Sequence, residues 1–93
     1  MRGFVIFPYR GKMPRTKAEN LLISDILRKF RYEKNLSQAE LAARLGMEQS
    51  YISLLEVGKR TPSIIMLIRI ADALEVSPGS MVDAVADELR RRS

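Results

Sequence analysis

Apolar residues recur at three- and four-residue steps along most of the chain, which is the spacing of one face of an α-helix. The first stripe consists of Leu22, Ile23, Ile26, Leu27 and Phe30. It predicts a helix from Glu19 to about Lys34. Asn35 would close this helix, because Asn is the second choice after Gly for a left-handed residue at a helix end.

The next segment carries signals for a short second helix and a tight turn. Ser37 and Glu40 form a capping box, in which the Ser37 hydroxyl accepts from the Glu40 amide and the Glu40 carboxylate reaches back. The inner face of this helix consists of Leu41, Ala42 and Leu45. Gly46 would end the helix, because glycine reaches a positive φ at little steric cost.

A third helix is predicted from Met47 onward, and Gly58 stops it. Ile52 and Leu55 would face inward and hold it against the first helix. The residues that face away from this pair are Glu48, Gln49, Ser50, Ser53 and Leu54. The second and third helices therefore have the spacing of a helix-turn-helix, whose second helix presents short polar side chains to a major groove.

Two further helices are predicted toward the C-terminus. Ser63 can cap a fourth helix that runs to about Leu74, and Ser77 with Pro78 opens a fifth that continues to about Arg91. The core face of the fourth helix consists of Leu67, Ile70, Ala71 and Leu74. The whole pattern predicts an all-α domain of five short helices with no strand in its core.

The fourth helix is apolar nearly all round, which indicates burial on both sides. We therefore expect helices four and five to build a two-fold homodimer interface. Its residues would be Ile65, Met66, Ile68, Val85 and Leu89. The alternative is that the fifth helix only packs back on the first, which uses Met81, Val82 and Val85.

Composition narrows the class of protein. With 93 residues, 46% of them apolar, we expect one small domain and no effector-binding domain. It has no Cys and no His, so it lacks a disulfide framework and the commonest zinc ligands. The sequence shows no carboxylate pair, no nucleophile with a base and no phosphate-binding glycine loop. We expect neither enzymatic activity nor a cofactor.

The net charge of +5 lies outside the predicted domain. Residues 1–17 hold five bases before the first acid, and Arg90–Arg92 add three more. Residues 18–89 hold eight bases and eleven acids, a net charge of −3. The chain thus divides into a basic arm (1–18), a domain (19–82) and a helix extension with a basic tail (83–93). The arm and the tail would add non-specific affinity for phosphates.

The arm contains an apolar patch, residues 4–7, that is far too short for a signal-peptide core or a membrane span. We therefore expect a cytoplasmic protein with no membrane partner. Three interpretations of the arm stay open. It is a disordered leader, an arm that pairs or docks in a dimer, or an extension upstream of a natural start at Met13.

The helix-turn-helix and its flanks carry a family resemblance. The diagnostic segments are Leu36–Ala42, Leu45–Gly46, Tyr51–Ser53, Glu56 and Gly58–Ser63. With them, the sequence from about Ile23 to Met81 resembles the Cro/cI-type, lambda-repressor-like (XRE) family of bacterial and phage DNA-binding domains. The resemblance implies a compact five-helix domain whose third helix enters the major groove of double-stranded DNA.

The resemblance also implies roles for individual side chains. Gln38 would contact a backbone phosphate. The residues that would face base edges are Gln49, Ser50, Ser53 and Leu54. Gln49 is the best candidate for base readout, because its amide can pair bidentately with adenine N6 and N7. The other DNA-binding candidates are Arg44, Tyr51, Lys59 and Arg60, the last three as phosphate contacts that fix the register.

Other positions either support the family pattern or depart from it. Arg31 and Glu56 match two family positions that form an ion pair between the first and third helices. Leu54 and Val57 stand where related sequences often carry Arg, and Glu48 places an acid at the N-cap of the third helix. We therefore expect a modest affinity for DNA per monomer.

The sequence thus predicts a sequence-specific DNA-binding transcriptional regulator, a small dimeric repressor or autoregulator that reads a palindromic operator through its third helix. A phage repressor, a restriction–modification controller and an antitoxin stay equally open. The alternative from another class is a helical interaction module with weak or partner-dependent binding to DNA. Its partner, a toxin or a co-regulator, would bind the apolar surface of helices four and five.

Overall fold

The structure of the protein is a computed structural model that describes the backbone of residues 17–92 and the side chains of residues 21–92. Five helices occupy this range: α1 (Lys17–Glu33), α2 (Gln38–Leu45), α3 (Gln49–Glu56), α4 (Ile64–Ala73) and α5 (Pro78–Arg92). No strand occurs between residues 17 and 92, and the predicted all-α class is confirmed. Residues 1–16, and with them nearly all of the basic arm, lie outside the described residues.

The helix ends lie where the capping residues predict them. Asn35 adopts a φ of 56° after α1, and Gly46 adopts a φ of 68° after α2. The Ser37 hydroxyl accepts from the Glu40 amide at 3.0 Å, and the Glu40 carboxylate accepts from the Ser37 amide at 2.8 Å. The capping box is therefore confirmed. Ser63 caps α4 through its hydroxyl, also as predicted.

The ends of α3 differ from each other. Glu48 occupies the N-cap in extended backbone, but its side chain makes no capping hydrogen bond. Gly58 follows the other end with a φ of 80°. A Cβ at this position would lie 3.1 Å from the end of the Leu21 side chain, so any other residue would have to shift that side chain as well as adopt a strained left-handed backbone.

The hydrophobic core lies between all five helices. α2 packs on α3 and α4, α1 packs on α3 and α5, and α4 packs on α5. The buried side chains of the core are Leu27, Leu36, Leu41, Ala42, Leu45, Ile52, Leu55, Ile70, Ala71, Leu74 and Met81. The inner faces predicted for α2, α3 and α4 are confirmed, with Leu67 only partly buried.

The outer face of α4 is apolar, as predicted, but one of the residues on it differs from those predicted. Ile65 and Ile68 are exposed, at 65% and 39%. The sequence predicts Met66 on the same face, but its side chain packs against the core. Met66 lies four residues before the buried Ile70, on the same side of the helix. Ile64, exposed at 61%, joins the outer face in its place.

α5 packs on α1, as the alternative to a dimer interface predicts. Met81 is buried, and Val85 is partly buried. Val82 and Leu89 stay exposed, at 43% and 45%. Packing on α1 therefore uses only part of the apolar surface of α5. None of the helices between residues 17 and 92 has the length and apolar character that crossing a membrane requires.

α2 and α4 cap each other through arginines. Arg69 of α4 donates to the carbonyl of Leu45, the last residue of α2, at 2.9 Å. Arg44 of α2 donates to the carbonyl of Ala73, the last residue of α4, at 2.8 Å. Both bonds satisfy carbonyls that have no partner within their own helix.

Candidate nucleic-acid interface

α2 and α3 form a helix-turn-helix with a tight hydrogen-bonded turn. The amide of Gly46 donates to the Ala43 carbonyl at 3.1 Å, and the amide of Met47 donates to the Ala42 carbonyl at 2.9 Å. The turn leaves only three residues between the two helices. α3 is therefore held at a fixed angle across α2.

The outer face of α3 is the one that the sequence predicts. Ile52 and Leu55 are buried against the core. Gln49 and Ser50 are exposed in the first turn, and the half-buried residues Ser53 and Leu54 follow one turn later. Residues three and four apart are neighbours on a helix, so these four side chains form one continuous surface. Their contact with base edges stays a prediction.

Gln38, the first residue of α2, is hydrogen-bonded to α3. Its Nε2 donates to Glu56 Oε1 at 3.0 Å. Its Oε1 accepts from Ser53 Oγ at 3.3 Å and from Gln49 Nε2 at 3.4 Å. The residue proposed to bind a phosphate and the residue proposed to read a base are therefore direct neighbours.

A buried ion pair lies beneath this group. Arg31 donates from Nε to Glu56 Oε2 at 2.6 Å and from Nη2 to Glu56 Oε1 at 2.8 Å. The two side chains are only 7% and 2% exposed. The hydrogen bond to Glu56 raises the pKa of Arg31 above its ordinary value. The ion pair implied by the family resemblance is confirmed, and it is shielded from solvent.

α1 also fixes the C-terminal end of α3. Arg28 Nη1 donates to the Glu56 carbonyl at 2.6 Å, and Ser24 Oγ donates to the Leu55 carbonyl at 2.8 Å. Sequence reasoning missed both residues, because helical spacing places Arg28 on a surface and its partner becomes visible only when α3 packs beside it. The exposed Gln49 and Ser50 lie at the opposite end of α3 from these contacts.

The remaining candidate DNA-binding residues fall into two groups. Lys59 and Arg60 are exposed in the turn after α3. The Arg60 guanidinium lies 5.8 Å from the ring centroid of the half-buried Tyr51, which favours a cation–π contact between them. Arg44 is exposed on α2, but its guanidinium is engaged at the end of α4. A contact between Arg44 and DNA would require that bond to break, and it stays a prediction.

The C-terminal arginines are neutralised more than the sequence suggests. The pairs are Arg90 with Asp87, Arg91 with Glu88, and Arg92 with both Glu88 and Asp25. The hydrogen bonds from Arg92 and Arg91 lower the pKa of Glu88. The tail therefore presents less unpaired positive charge than three free arginines would.

A family model described as helix-turn-helix matches residues 27–80, which is more than half of the chain. The chain belongs to the Cro/cI-type (XRE) helix-turn-helix family. This XRE protein is a DNA-binding transcriptional regulator, the function that its residues predict. Its five-helix fold is that of the lambda-repressor-like domains.

Relatives of this XRE protein include named transcriptional regulators. It is 43% identical over 61 residues to the uncharacterized HTH-type transcriptional regulator y4dJ of Sinorhizobium fredii, covering 66% of this chain and 79% of that protein. It is 35% identical over 63 residues to the HTH-type transcriptional regulator SinR of Bacillus subtilis, covering 67% of this chain and 57% of SinR.

Similar solved structures include restriction–modification controller proteins. C.AhdI of Aeromonas hydrophila matches with a TM-score of 0.65 and 33% identity, over 69% of this chain and 97% of C.AhdI. The tetramer of C.Esp1396I, solved with its natural 35 base-pair operator, matches with a TM-score of 0.69 and 30% identity. That match covers 75% of this chain and 92% of the C.Esp1396I chain.

Proposed function

We propose that the protein is a homodimeric repressor or autoregulator that reads a palindromic operator by placing α3 in the major groove. The observation that carries this proposal is the polar outer face of α3, linked to Gln38 and backed by the buried pair of Arg31 and Glu56. C.Esp1396I supports it, because its structure contains an operator bound to chains of this fold. Such a regulator acts in the cytoplasm and has no enzymatic activity.

Base readout is assigned to the outer face of α3. Gln49, exposed in the first turn, can pair bidentately with one adenine. Ser50 and Ser53 can donate to or accept from base edges, and Leu54 can contact a thymine methyl group. These side chains are short, so α3 must lie deep in the groove for them to reach the bases.

Phosphate contacts are assigned to the residues that flank α3. Lys59 and Arg60 are exposed where α3 ends, and Tyr51 lies beside Arg60. Gln38 lies at the N-terminus of α2, where the helix dipole favours an anion. Contacts on both sides of α3 would fix its register on the duplex.

The dimer is assigned to the apolar outer face of α4 and the exposed edge of α5. Ile64, Ile65 and Ile68 are exposed on α4, and Leu89 is exposed on α5. An exposed apolar patch of this kind marks a protein interface. A two-fold dimer would hold two copies of α3 about 34 Å apart, the spacing of successive major grooves. A toxin or a co-regulator that binds the same isoleucines is the second candidate.

Fluorescence anisotropy against duplexes selected from a random pool tests the assignment of α3. Gln49→Ala should cost about 1–3 kcal/mol and relax the preference at one base pair. Lys59→Ala should weaken binding to all sequences alike. It should also reduce the salt slope, the slope of log affinity against log salt concentration, by about one unit. Lys29→Ala, which removes an exposed lysine of α1, is the matched control and should leave that slope unchanged. If Gln49→Ala changes no preference at any position, the assigned reading face is wrong.

A further inference from the structure

We infer that the apolar segment Phe4–Phe7 of the N-terminal arm docks on one edge of α5 in the same chain. This α5 edge consists of Val82, Ala86 and Leu89. The three residues follow one another at steps of four and three, so they form one continuous stripe along the helix. The inference concerns the arm and α5 alone, and it does not depend on the binding of α3 to DNA.

The α5 edge is apolar surface that packing within the domain covers only in part. Val82 and Leu89 are 43% and 45% exposed, and Ala86 is partly buried. Met81, one residue before Val82, is buried in the core. α5 therefore packs through the neighbouring face of the helix. A row of apolar side chains left at the surface marks a site where another segment can bind.

The apolar segment and the α5 edge are of equal length. Four residues in extended backbone span about 10 Å from the first Cα to the last. Val82 and Leu89 are seven residues apart in a helix, which is also about 10 Å. The segment begins and ends with an aromatic residue, and each aromatic ring can bury about 150–250 Å² of surface. The segment can thus cover the whole edge.

The charges beside the segment and beside the α5 edge are opposite in sign. Arg2 and Arg10 lie on either side of the apolar segment. Asp83 and Asp87 are exposed next to the edge. Asp87 shares an exposed ion pair with Arg90, and Asp83 has no ion-pair partner among residues 21–92. An arm with bases on both sides of its apolar segment therefore complements this edge in charge as well as in length.

The arm is long enough to reach the α5 edge of its own chain. Ten residues separate Phe7 from Lys17, where α1 begins, and ten residues can span about 33 Å. Asp25 lies eight residues into α1, about 12 Å along its axis, and contacts Arg92 at 3.3 Å. Ala86, the middle of the edge, lies six residues before Arg92, about 9 Å along α5. The arm thus starts within reach of the edge.

The short tether favours the arm over a separate partner as the occupant of this edge. A segment held by a short linker has an effective concentration of about 1 mM or more, so even a weak apolar contact forms in most molecules. A second copy of the chain would have to displace the arm. Leu89 lies at the end of the edge, where the docked arm would border the proposed dimer interface.

A spin label beside the segment tests the docking. The chain has no Cys, so Gly3→Cys provides a single attachment point for the label. The label weakens the NMR signals of backbone amides that lie near it, and chemical reduction of the label restores them. In the isotopically labelled full chain, we expect the Val82 and Ala86 signals to lose more intensity than those of Ile64 and Ile65.

Two changes in the arm supply the matched variants. Phe4→Ser combined with Phe7→Ser removes both rings of the segment, outside the five helices of the domain. We expect this variant to restore most of the Val82 intensity, because the apolar contact is lost. Tyr9→Ser removes a ring just outside the segment and is the control. It should show the same loss of intensity as the unmodified arm.

A mixed sample distinguishes docking in the same chain from docking on a partner. Isotopically labelled chains without a spin label are mixed with an excess of spin-labelled chains that carry no isotope. We expect the Val82 signal to lose less intensity here than when both labels are in one chain. An equal or larger loss would overturn the inference, because the arm would then lie on the α5 of another chain.

The remaining outcomes decide whether the segment docks on α5 at all. A loss at Val82 and Ala86 that is reversed by Phe4→Ser with Phe7→Ser, and retained in Tyr9→Ser, supports the inference. No loss at these signals, a larger loss at Ile64 and Ile65, or a loss that the serine changes do not reverse overturns it. None of these measurements involves DNA, so the proposed reading face stands or fails separately.

Discussion

The outer surfaces of α2–α3 and of α4–α5 differ in chemistry. On α3, polar side chains are linked to Gln38 and, through Glu56, to a buried ion pair. On α4, the outer face is made of isoleucines such as Ile64 and Ile65, which are more than half exposed. Reading DNA requires donors and acceptors in fixed places, whereas binding a protein requires apolar area. We therefore assign readout to one half and dimerisation to the other.

The largest effect is expected from removing one member of the buried ion pair. Glu56→Ala leaves the Arg31 charge buried without its partner, so we expect a loss of about 3–5 kcal/mol in the free energy of unfolding, measured with urea. The double variant Arg31→Met with Glu56→Met removes both charges and should recover most of that loss. A loss below about 1 kcal/mol in Glu56→Ala would mean that the pair behaves like a surface salt bridge.

The next largest effect is expected at the proposed interface on α4. Ile65→Lys places a charge in the proposed interface, and we expect the dimer dissociation constant to rise by about 30-fold or more, as for a central interface residue. Sedimentation equilibrium measures it. Val57→Lys makes the same change just after the C-terminal end of α3, at a residue that is 56% exposed against 65% for Ile65. Val57→Lys should leave the dimer dissociation constant unchanged. If the wild-type protein is only monomeric, the proposed interface is wrong.

A smaller effect is expected when bases are removed from either end of the chain, and the two ends should differ in how much they change the salt slope. Deleting residues 1–12 removes Arg2, Arg10 and Lys12, and we expect the salt slope of DNA binding to fall by up to about 2–3 units per chain. Replacing Arg90–Arg92 by Ala also removes three bases, but these are ion-paired with acids of α1 and α5. Their loss should change the slope less. Equal changes in the slope would show that the ion pairs of Arg90–Arg92 break when the protein binds DNA.

The smallest effect concerns the capping box of α2. Hydrogen bonds from the Ser37 backbone and side chain lower the pKa of Glu40 below its ordinary value of 4.5. A lowered pKa in the folded state stabilises the fold above that ordinary value, and the stabilisation is lost as pH falls through the folded pKa. In Glu40→Gln, we therefore expect Tm to fall less steeply than in the wild type as the pH is lowered below 4.5, measured by thermal unfolding at a series of pH values.

Much of this architecture could be predicted from local signals. The capping box at Ser37, the left-handed Asn35 and the inner face of α3 depend on neighbouring residues, and each is confirmed. The partners of Arg28 and Arg44 could not be predicted, because they are carbonyls 28 and 29 residues away that meet these arginines only in the folded domain. For the same reason, the pattern places candidate DNA-binding residues on a surface but does not show which of them are engaged within the protein.

The reciprocal caps between α2 and α4 have a consequence for folding cooperativity. These helices contain 8 and 10 residues, and isolated helices of this length are marginal in water. Arg44 satisfies the end of α4, and Arg69 satisfies the end of α2. If either helix frays, the other loses a cap, so the stability of each helix depends on the other. We therefore expect the domain to unfold in a single transition, in which fraying of α4 also weakens the end of α2, the helix that leads into the proposed reading helix.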